Sequence, residues 1–378
     1  MPGVSRPRLP GGPVPVLVLV VAVAVAAGLR GDFTDLFVYR FGGRALLDGL
    51  PVYEVRDPVK GLPFTYPPFA TVVLVPLAVL PLGLAAALWA AASTAALAAV
   101  VALVRRELGR PAPGWLAAAL AAAALAVEPV WQNLTFGQIN VLLMLAVLVD
   151  LLRPDRRWSG VLLGVAAGIK LTPLVFVALL LLVGRRTAAG RAVLTFAGTV
   201  ALGLAAMPAA APAYWTHRLL DGSRVGPPAL AHNQSVYGAL TRLLDGRPPT
   251  LLWLAVAVPL GLAALLAGAR WWRHDRVLGT GLAALAMLLL SPVSWSHHWV
   301  WAVPLALALW EHSRPAAIGW TAVFVARPVV WPPYGRQVEY TWGPLDHLAG
   351  TGYLLAALAL TLGAAVTAPR PLRSRRVG

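Results

Sequence analysis

Apolar stretches that approach or exceed the length of a bilayer crossing recur along the whole chain, broken by short polar segments. A crossing helix needs about 18–20 largely apolar residues. The pattern predicts spans near 13–29, 83–104, 115–129, 138–152, 158–170, 171–183, 192–212, 250–269, 277–292, 299–310, 315–327 and 348–366. That is an all-α integral membrane protein of about twelve transmembrane helices, forming one polytopic domain over residues 1–378. The first run follows Arg6 and Arg8 and mimics a signal peptide. More spans come after it, so it is read as a retained helix. Residues 66–82 are apolar but interrupted by Pro76 and Pro81, and are expected to be interfacial or re-entrant. Residues 158–183 have arginine-rich flanks at both ends, so they must return to their starting side. Two short helices meeting near Lys170 do this. Three long outer loops remain, 30–66, 213–249 and 328–347.

Charge orients this layout. The chain carries a net charge of +16. One side gathers Arg6, Arg8, Arg105, Arg106, Arg110, Arg153, Arg156, Arg157, Arg185, Arg186, Arg191, Arg270, Arg273, Arg276, Arg314 and the tail arginines from Arg370 to Arg376. These are nineteen basic residues against five acidic ones, Glu107, Asp150, Asp155, Asp275 and Glu311. The opposite side has twelve against ten. The positive-inside rule then puts both termini in the cytoplasm, at the plasma membrane. It also accounts for the basic excess without nucleic acid. At 59% hydrophobic and 12% charged, the chain has too little charge to cover a soluble domain. Cysteine is absent, which removes disulfides, thiolate nucleophiles and Cys-ligated zinc.

The polar residues gather on the other, extracytoplasmic side. The first outer loop reads GDFTDLFVYRFGGRALLDGLPVYEVRDPVKGLPFTYPPFA. In a helix Asp35 and Tyr39 share a face, and Leu36, Val38, Leu46 and Leu47 are expected to lie against the membrane surface. This fits a solvated amphipathic helix. It equally fits a carboxylate poised as a general base. Lys170, in GVAAGIKLTPLVF, is the only lysine besides Lys60 and lies in an uncharged stretch. An ionisable residue inside a span is costly and usually functional. Snorkelling is the competing reading; a cation at a hairpin tip also suits a phosphate. SPVSWSHHWVW puts His297 and His298 at the mouth of a span. Adjacent histidines diverge on a helix, which disfavours a two-His metal site. Either one can donate to a phosphate or a sugar hydroxyl, while the tryptophans, Trp295 among them, fit a belt at the interface or a sugar platform. Gln138 and Asn140 open a span, and Asn233 and Gln234 lie in HNQS. Amides suit sugar hydroxyls, since they donate and accept.

Walker A, dinucleotide and H-E-x-x-H motifs are missing. That favours a donor activated by something other than a nucleotide, and a polyprenyl phosphate sugar arrives through the bilayer. A transporter or flippase reading expects a polar site at mid-bilayer and inverted repeats. Here the polar residues lie at one interface and no repeat is evident.

TDLFVYRFGGRALLDGLPVYE with LPFTYPPFA, then GQINVLLMLAVLVDLL, GVAAGIKLTPLVF, HNQS and SPVSWSHHW occur in this order. The five stretches resemble the polyprenol-phosphate-mannose-dependent α-(1→2) mannosyltransferase family, glycosyltransferase family 87, over most of the chain. The resemblance implies a GT-C membrane fold whose helical first outer loop carries a catalytic aspartate, here Asp35, with Asp32 as the rival. It implies a polyprenyl phosphate mannose donor, a mannosylated glycolipid or glycan acceptor, and inverting transfer needing neither cofactor nor metal. Lys170, His297, His298 and, less directly, Arg40 are then the candidates for the donor phosphate. Tyr39, Tyr66, Gln138, Asn140, Asn233, Gln234 and Trp295 are candidates for sugar and acceptor. The same fold using another lipid-linked sugar, such as an arabinofuranose, stays open.

Overall fold

The computed structural model describes residues 12–30, 33–153 and 157–367. Arg6, Arg8, Asp32, Asp155, Arg156 and the tail arginines lie outside the described residues. Among those described, secondary structure is helical apart from two isolated β-bridges, Arg56 with Pro63 and Asn233 with Trp295.

The first helix, α1 (Val14–Arg30), is followed by α2 (Thr34–Leu47) in the first outer loop. Residues 66–82 form α3 (Pro68–Val79). At about 1.5 Å per residue its twelve residues cover about 18 Å, short of a crossing. Helix α4 (Leu82–Glu107) starts after Pro81 and packs against α1. Arg105 and Arg106 occupy its last turn, where cations suit the helix dipole.

Then come α5 (Gly114–Ala124) and α6 (Glu128–Phe136), bent by 86° at their break. α7 (Asn140–Leu151) and α8 (Val161–Ile169) are joined by Asp150. Its buried carboxylate accepts hydrogen bonds from the amides of Gly160 (2.6 Å) and Leu163 (2.8 Å), satisfying the first turn of α8. After Lys170 a 3₁₀ turn, Thr172–Leu174, leads into α9 (Val175–Leu182). The hairpin expected over 158–183 is therefore two helices of nine and eight residues meeting at an extended Lys170 (φ −148°, ψ 127°).

α10 (Arg186–Ala206) starts six residues before the expected span at 192. The Ala-rich first turns explain this: Ala188, Ala189 and Ala192 are buried, and α10 packs on α8. The second outer loop holds α11 (Ala211–Thr216) and α12 (Val236–Leu243). α13 (Thr250–Trp272) and α14 (Arg276–Leu290) form a close pair, with Gly268 so near α14 that a Cβ there would sit 2.8 Å from the Gly279 carbonyl oxygen. α15 (Ala302–His312), α16 (Arg314–Ala326), α17 (Pro344–Gly350) and α18 (Gly352–Val366) complete the chain, the last two bent by 69°.

Among the described residues, α4, α10 and α13 are long and apolar enough to cross a membrane singly. Each bent pair supplies one more span if it is counted as a unit. Leu194 on α10 and Leu251 on α13 are 73% and 81% exposed. Apolar side chains that face outward on such helices have lipid as their solvent. The protein is thus a multi-pass membrane protein built partly from broken helices.

Candidate active site

Helix α2 does not lie on the membrane surface by an apolar stripe. Leu36 and Val38 are buried within the protein; Leu47 alone of the expected surface set is exposed. The helix is drawn inward by its glycines. A Cβ at Gly43 would sit 2.7 Å from the Leu74 carbonyl oxygen of α3, and one at Gly42 would meet the Phe64 ring. Asp35 occupies the first turn, where a carboxylate suits the positive end of the dipole.

Gln138 and Asn140 reach this helix because α6 stops abruptly. Gly137 adopts the left-handed conformation (φ 69°) and the chain turns into α7. A Cβ at Gly137 would lie 2.9 Å from the Leu36 Cβ, so α2 seats directly on the turn. The Trp89 indole of α4 donates to the Gly137 carbonyl at 2.7 Å.

The Tyr39 hydroxyl donates to Gln138 Oε1 (3.0 Å), accepts from the Ile139 amide (3.3 Å), and pairs with the Tyr66 hydroxyl at 2.9 Å. Asn140 Nδ2 also approaches Gln138 Oε1, at 3.4 Å. The amide oxygen is therefore taken, and the Gln138 NH₂ faces Asp35, to which it hydrogen-bonds. Burial pushes the Asp35 carboxyl up from the ordinary 3.8 to about 6; the Gln138 hydrogen bond and the Lys170 charge act in the opposite direction without cancelling it.

Lys170 Nζ donates to Asn140 Oδ1 at 2.9 Å and contacts His298 Nε2 at 3.1 Å. It also sits over the Tyr66 ring, 5.7 Å from the centroid. An ammonium only donates, so His298 Nε2 accepts, and its proton is on Nδ1, which hydrogen-bonds the Val293 backbone. His298 is in this arrangement a holder of the lysine. His297 differs: its ring stacks edge-on to Phe136 and His298, and its buried Nε2 has no partner among the described residues. Its carbonyl accepts from Asn140 Nδ2 at 3.0 Å. Asp35, Gln138, Asn140, Lys170 and His298 thus form one continuous chain of side-chain hydrogen bonds.

Other candidates are not brought into this chain. Arg40 donates to the carbonyls of Leu77 and, at 2.7 Å, of Leu80, the free carbonyls left where α3 ends. Asn233 is wholly buried and spent on backbone: Nδ2 donates to Pro228 and Pro292, and Oδ1 accepts from Ser235 and Ser294. Gln234 likewise donates to Ala231 and Gly350 and accepts from Tyr353. Both amides fasten the HNQS segment to its neighbours. Trp295 pairs by a β-bridge with Asn233, its ring close to Gly226.

Spacing alone did not reveal a narrow cleft of about 30 Å³ beside Lys170 and His298. Its polar end is Asn140, Lys170 and His298. Its walls are apolar and include Met144, Val147, Phe176, Met287 and Trp301. The signal was present only as ordinary apolar residues on α7, α9 and α14.

Comparison with known proteins agrees with the sequence resemblance. The sequence model of Glycosyltransferase family 87 matches residues 64–292. A Mycobacterium tuberculosis (strain CDC 1551 / Oshkosh) protein is 40% identical over 370 residues, spanning 91% of this chain and 83% of its own length. It is named polyprenol-phosphate-mannose-dependent alpha-(1-2)-phosphatidylinositol pentamannoside mannosyltransferase. A protein of the same name from Mycolicibacterium smegmatis (strain ATCC 700084 / mc(2)155) is 36% identical over 88% of this chain and 84% of its own. A Mycobacterium tuberculosis (strain ATCC 25618 / H37Rv) protein, named for a phosphatidylinositol mannoside acceptor, is 35% identical over 90% of this chain and 86% of its own. Among solved structures, ArnT from Cupriavidus metallidurans bound to undecaprenyl phosphate aligns over 93% of this chain and 77% of that one, at 19% identity and a TM-score of 0.43.

Proposed function

This chain belongs to glycosyltransferase family 87, and from that premise we propose that it is an inverting mannosyltransferase of GT-C architecture with Asp35 as its general base. The relatives' names support polyprenyl phosphate mannose as donor, an α-(1→2) bond as product and a phosphatidylinositol mannoside as acceptor class. The observation that carries the site is the hydrogen-bonded chain from Asp35 through Gln138 and Asn140 to Lys170 and His298. It links the proposed base to the proposed cation through side-chain contacts, and the Lys170 charge acts on the Asp35 carboxyl.

In this mechanism Asp35 takes the proton of the acceptor hydroxyl. The freed oxygen attacks the anomeric carbon, and the bond to the donor phosphate breaks with inversion from β to α. The leaving polyprenyl phosphate gains negative charge, which Lys170 stabilises, with His297 Nε2 as a second donor. A carboxyl with a pKa of about 6 is ionised at neutral pH and is a stronger base than an ordinary aspartate. The prenyl chain enters along the apolar cleft; since the cleft is narrow, the flexible Met144 and Met287 must move aside.

We place this pocket on the extracytoplasmic side and both termini in the cytoplasm, within a layout of about twelve spans. The arginines support this: Arg105 and Arg106 end α4, Arg186 begins α10, Arg270 lies in the last turn of α13 and Arg314 begins α16. The test is incubation of the purified protein with polyprenyl phosphate mannose and a panel of phosphatidylinositol mannosides, with products read by mass spectrometry. A gain of one hexose in an α-(1→2) linkage is expected. Transfer only from a polyprenyl phosphate arabinofuranose, or no transfer to any mannoside, overturns the assignment.

A further inference from the structure

At the far end of α4 from the polar pocket lies a second, larger cleft of about 380 Å³. Trp89, whose indole bonds the turn beside Gln138, and Arg105, which lines this cleft, are sixteen residues apart on α4, a rise of about 24 Å. The two sites therefore face opposite membrane surfaces. The cleft is walled by Arg105 and Arg110 on one side, and by Trp310, Glu311, Ser313 and Arg314 at the α15–α16 corner on the other.

Among the described residues, two of its three guanidiniums have no paired carboxylate. Arg110 is paired with Glu311 at 3.0 Å, and His312, also at the cleft, is paired with Asp275 at 2.8 Å. Arg105 is half-buried, its Nε is shut from solvent, and no partner is found for that atom among the described residues. Arg314 lies over the Trp310 ring at 5.5 Å. Arg314 is also the first residue of α16, whose first turn offers little besides its guanidinium: Pro315 has no N–H, and the Ala316 and Ala317 amides are taken by the Ser313 hydroxyl and carbonyl. Arginines that merely obey the positive-inside rule need no cleft; here two of them converge on one.

The surface below the cleft is apolar. Ile318 (60% exposed) and Val325 (43%) lie four and eleven residues after Arg314, on the same face of α16. Trp310, under the Arg314 guanidinium, is 47% exposed. A free phosphate uses the cleft and leaves this strip idle, whereas a phospholipid uses both. We propose that the cleft binds the phosphate of an anionic glycerophospholipid from the leaflet opposite the transferase pocket, with the acyl chains lying along Ile318 and Val325.

The test is native mass spectrometry of the full chain in detergent, titrated with phosphatidylglycerol, with zwitterionic phosphatidylcholine, or with inorganic phosphate. Wild type is expected to hold one phosphatidylglycerol through delipidation and to prefer it to phosphatidylcholine. Arg105→Gln and Arg314→Gln should each weaken retention about fivefold, while Arg314→Lys, which keeps the charge at an exposed position, should retain most of it. Equal retention of phosphatidylglycerol by wild type and both glutamine variants overturns the site. So does equal retention of phosphatidylcholine. Displacement of the lipid by millimolar inorganic phosphate would assign the cleft to a free anion and overturn the lipid.

Discussion

The Tyr39 hydroxyl donates to Gln138 Oε1 at 3.0 Å, and this bond decides which end of the Gln138 amide meets Asp35. With the oxygen occupied, the NH₂ group is the one left for the carboxylate. Gln138 is then a positioning residue for the proposed base. In Gln138→Ala the carboxylate loses a hydrogen bond that favours its charged form, so its pKa rises further, by roughly one unit. The acid limb of the kcat/KM profile should move to higher pH while the KM for acceptor changes little. A rise in acceptor KM with the pH profile in place would instead make Gln138 a sugar ligand. Tyr39→Phe should move the profile in the same direction, by less.

Asp35→Asn should lower transfer at least about 10²-fold at neutral pH. Wild-type activity should decline as pH falls through about 6, because the base must be ionised. The stability effect has a definite sign. A carboxyl whose folded pKa is raised binds its proton more tightly when folded, so stability falls as pH rises from about 3.8 to about 6. Asp35→Asn removes that dependence. Melting temperatures across this window, wild type against variant, should diverge toward the alkaline end with the variant the more stable. Parallel curves would show that Asp35 is not buried as described.

Lys170→Ala should raise the donor KM and lower kcat, with a loss in kcat/KM of about 10–10²-fold, the size of a hydrogen bond to a charged group. Asn140→Leu leaves the charge but removes its holder, and should fall between wild type and Lys170→Ala. Single-turnover rates with saturating donor distinguish weak binding from slow chemistry. Unchanged donor KM and kcat in both variants would remove the lysine from the site.

Gly137→Ala should destabilise the protein by about 1 kcal/mol or more, since the left-handed conformation disfavours a Cβ. The added methyl also meets Leu36, the residue next to Asp35. Activity should therefore fall further than the melting temperature alone explains. Normal activity in the folded fraction would separate the turn from the base.

Asn233→Ala should act on stability rather than on substrate. It leaves the Ser235 and Ser294 amides without their acceptor, at a cost of about 1–3 kcal/mol each if they stay buried and unpaired. A lower melting temperature with unchanged KM values for donor and acceptor is expected.

These roles mark how far the sequence could be read. Hydropathy pointed to a multi-pass helical protein, and the arginine flanks pointed to the break at Lys170, because both follow from what a bilayer excludes. That Gln138, Asn140, Lys170 and the histidine pair fall close together matches their grouping in the sequence reading, where each marks a polar interruption of an apolar stretch. Spacing carries no information on side-chain direction in irregular segments, so the amides of Asn233 and Gln234 look like those of Gln138 and Asn140 until the backbone around them is known. Arg40 is similar: that α3 would end beneath it with carbonyls to satisfy depends on packing of α2 on α3. The bends between α5 and α6 and between α17 and α18 fall inside apolar runs that read as continuous.

Helix α8 rises about 13 Å before Lys170, and the 3₁₀ turn with α9 rises about 18 Å after it, each short of a hydrocarbon layer about 30 Å thick. In the layout proposed above, the ammonium is therefore held within the thickness of that layer and not at its surface. A lipid-borne phosphate would then meet its counter-charge below the membrane surface, without being drawn out of its leaflet.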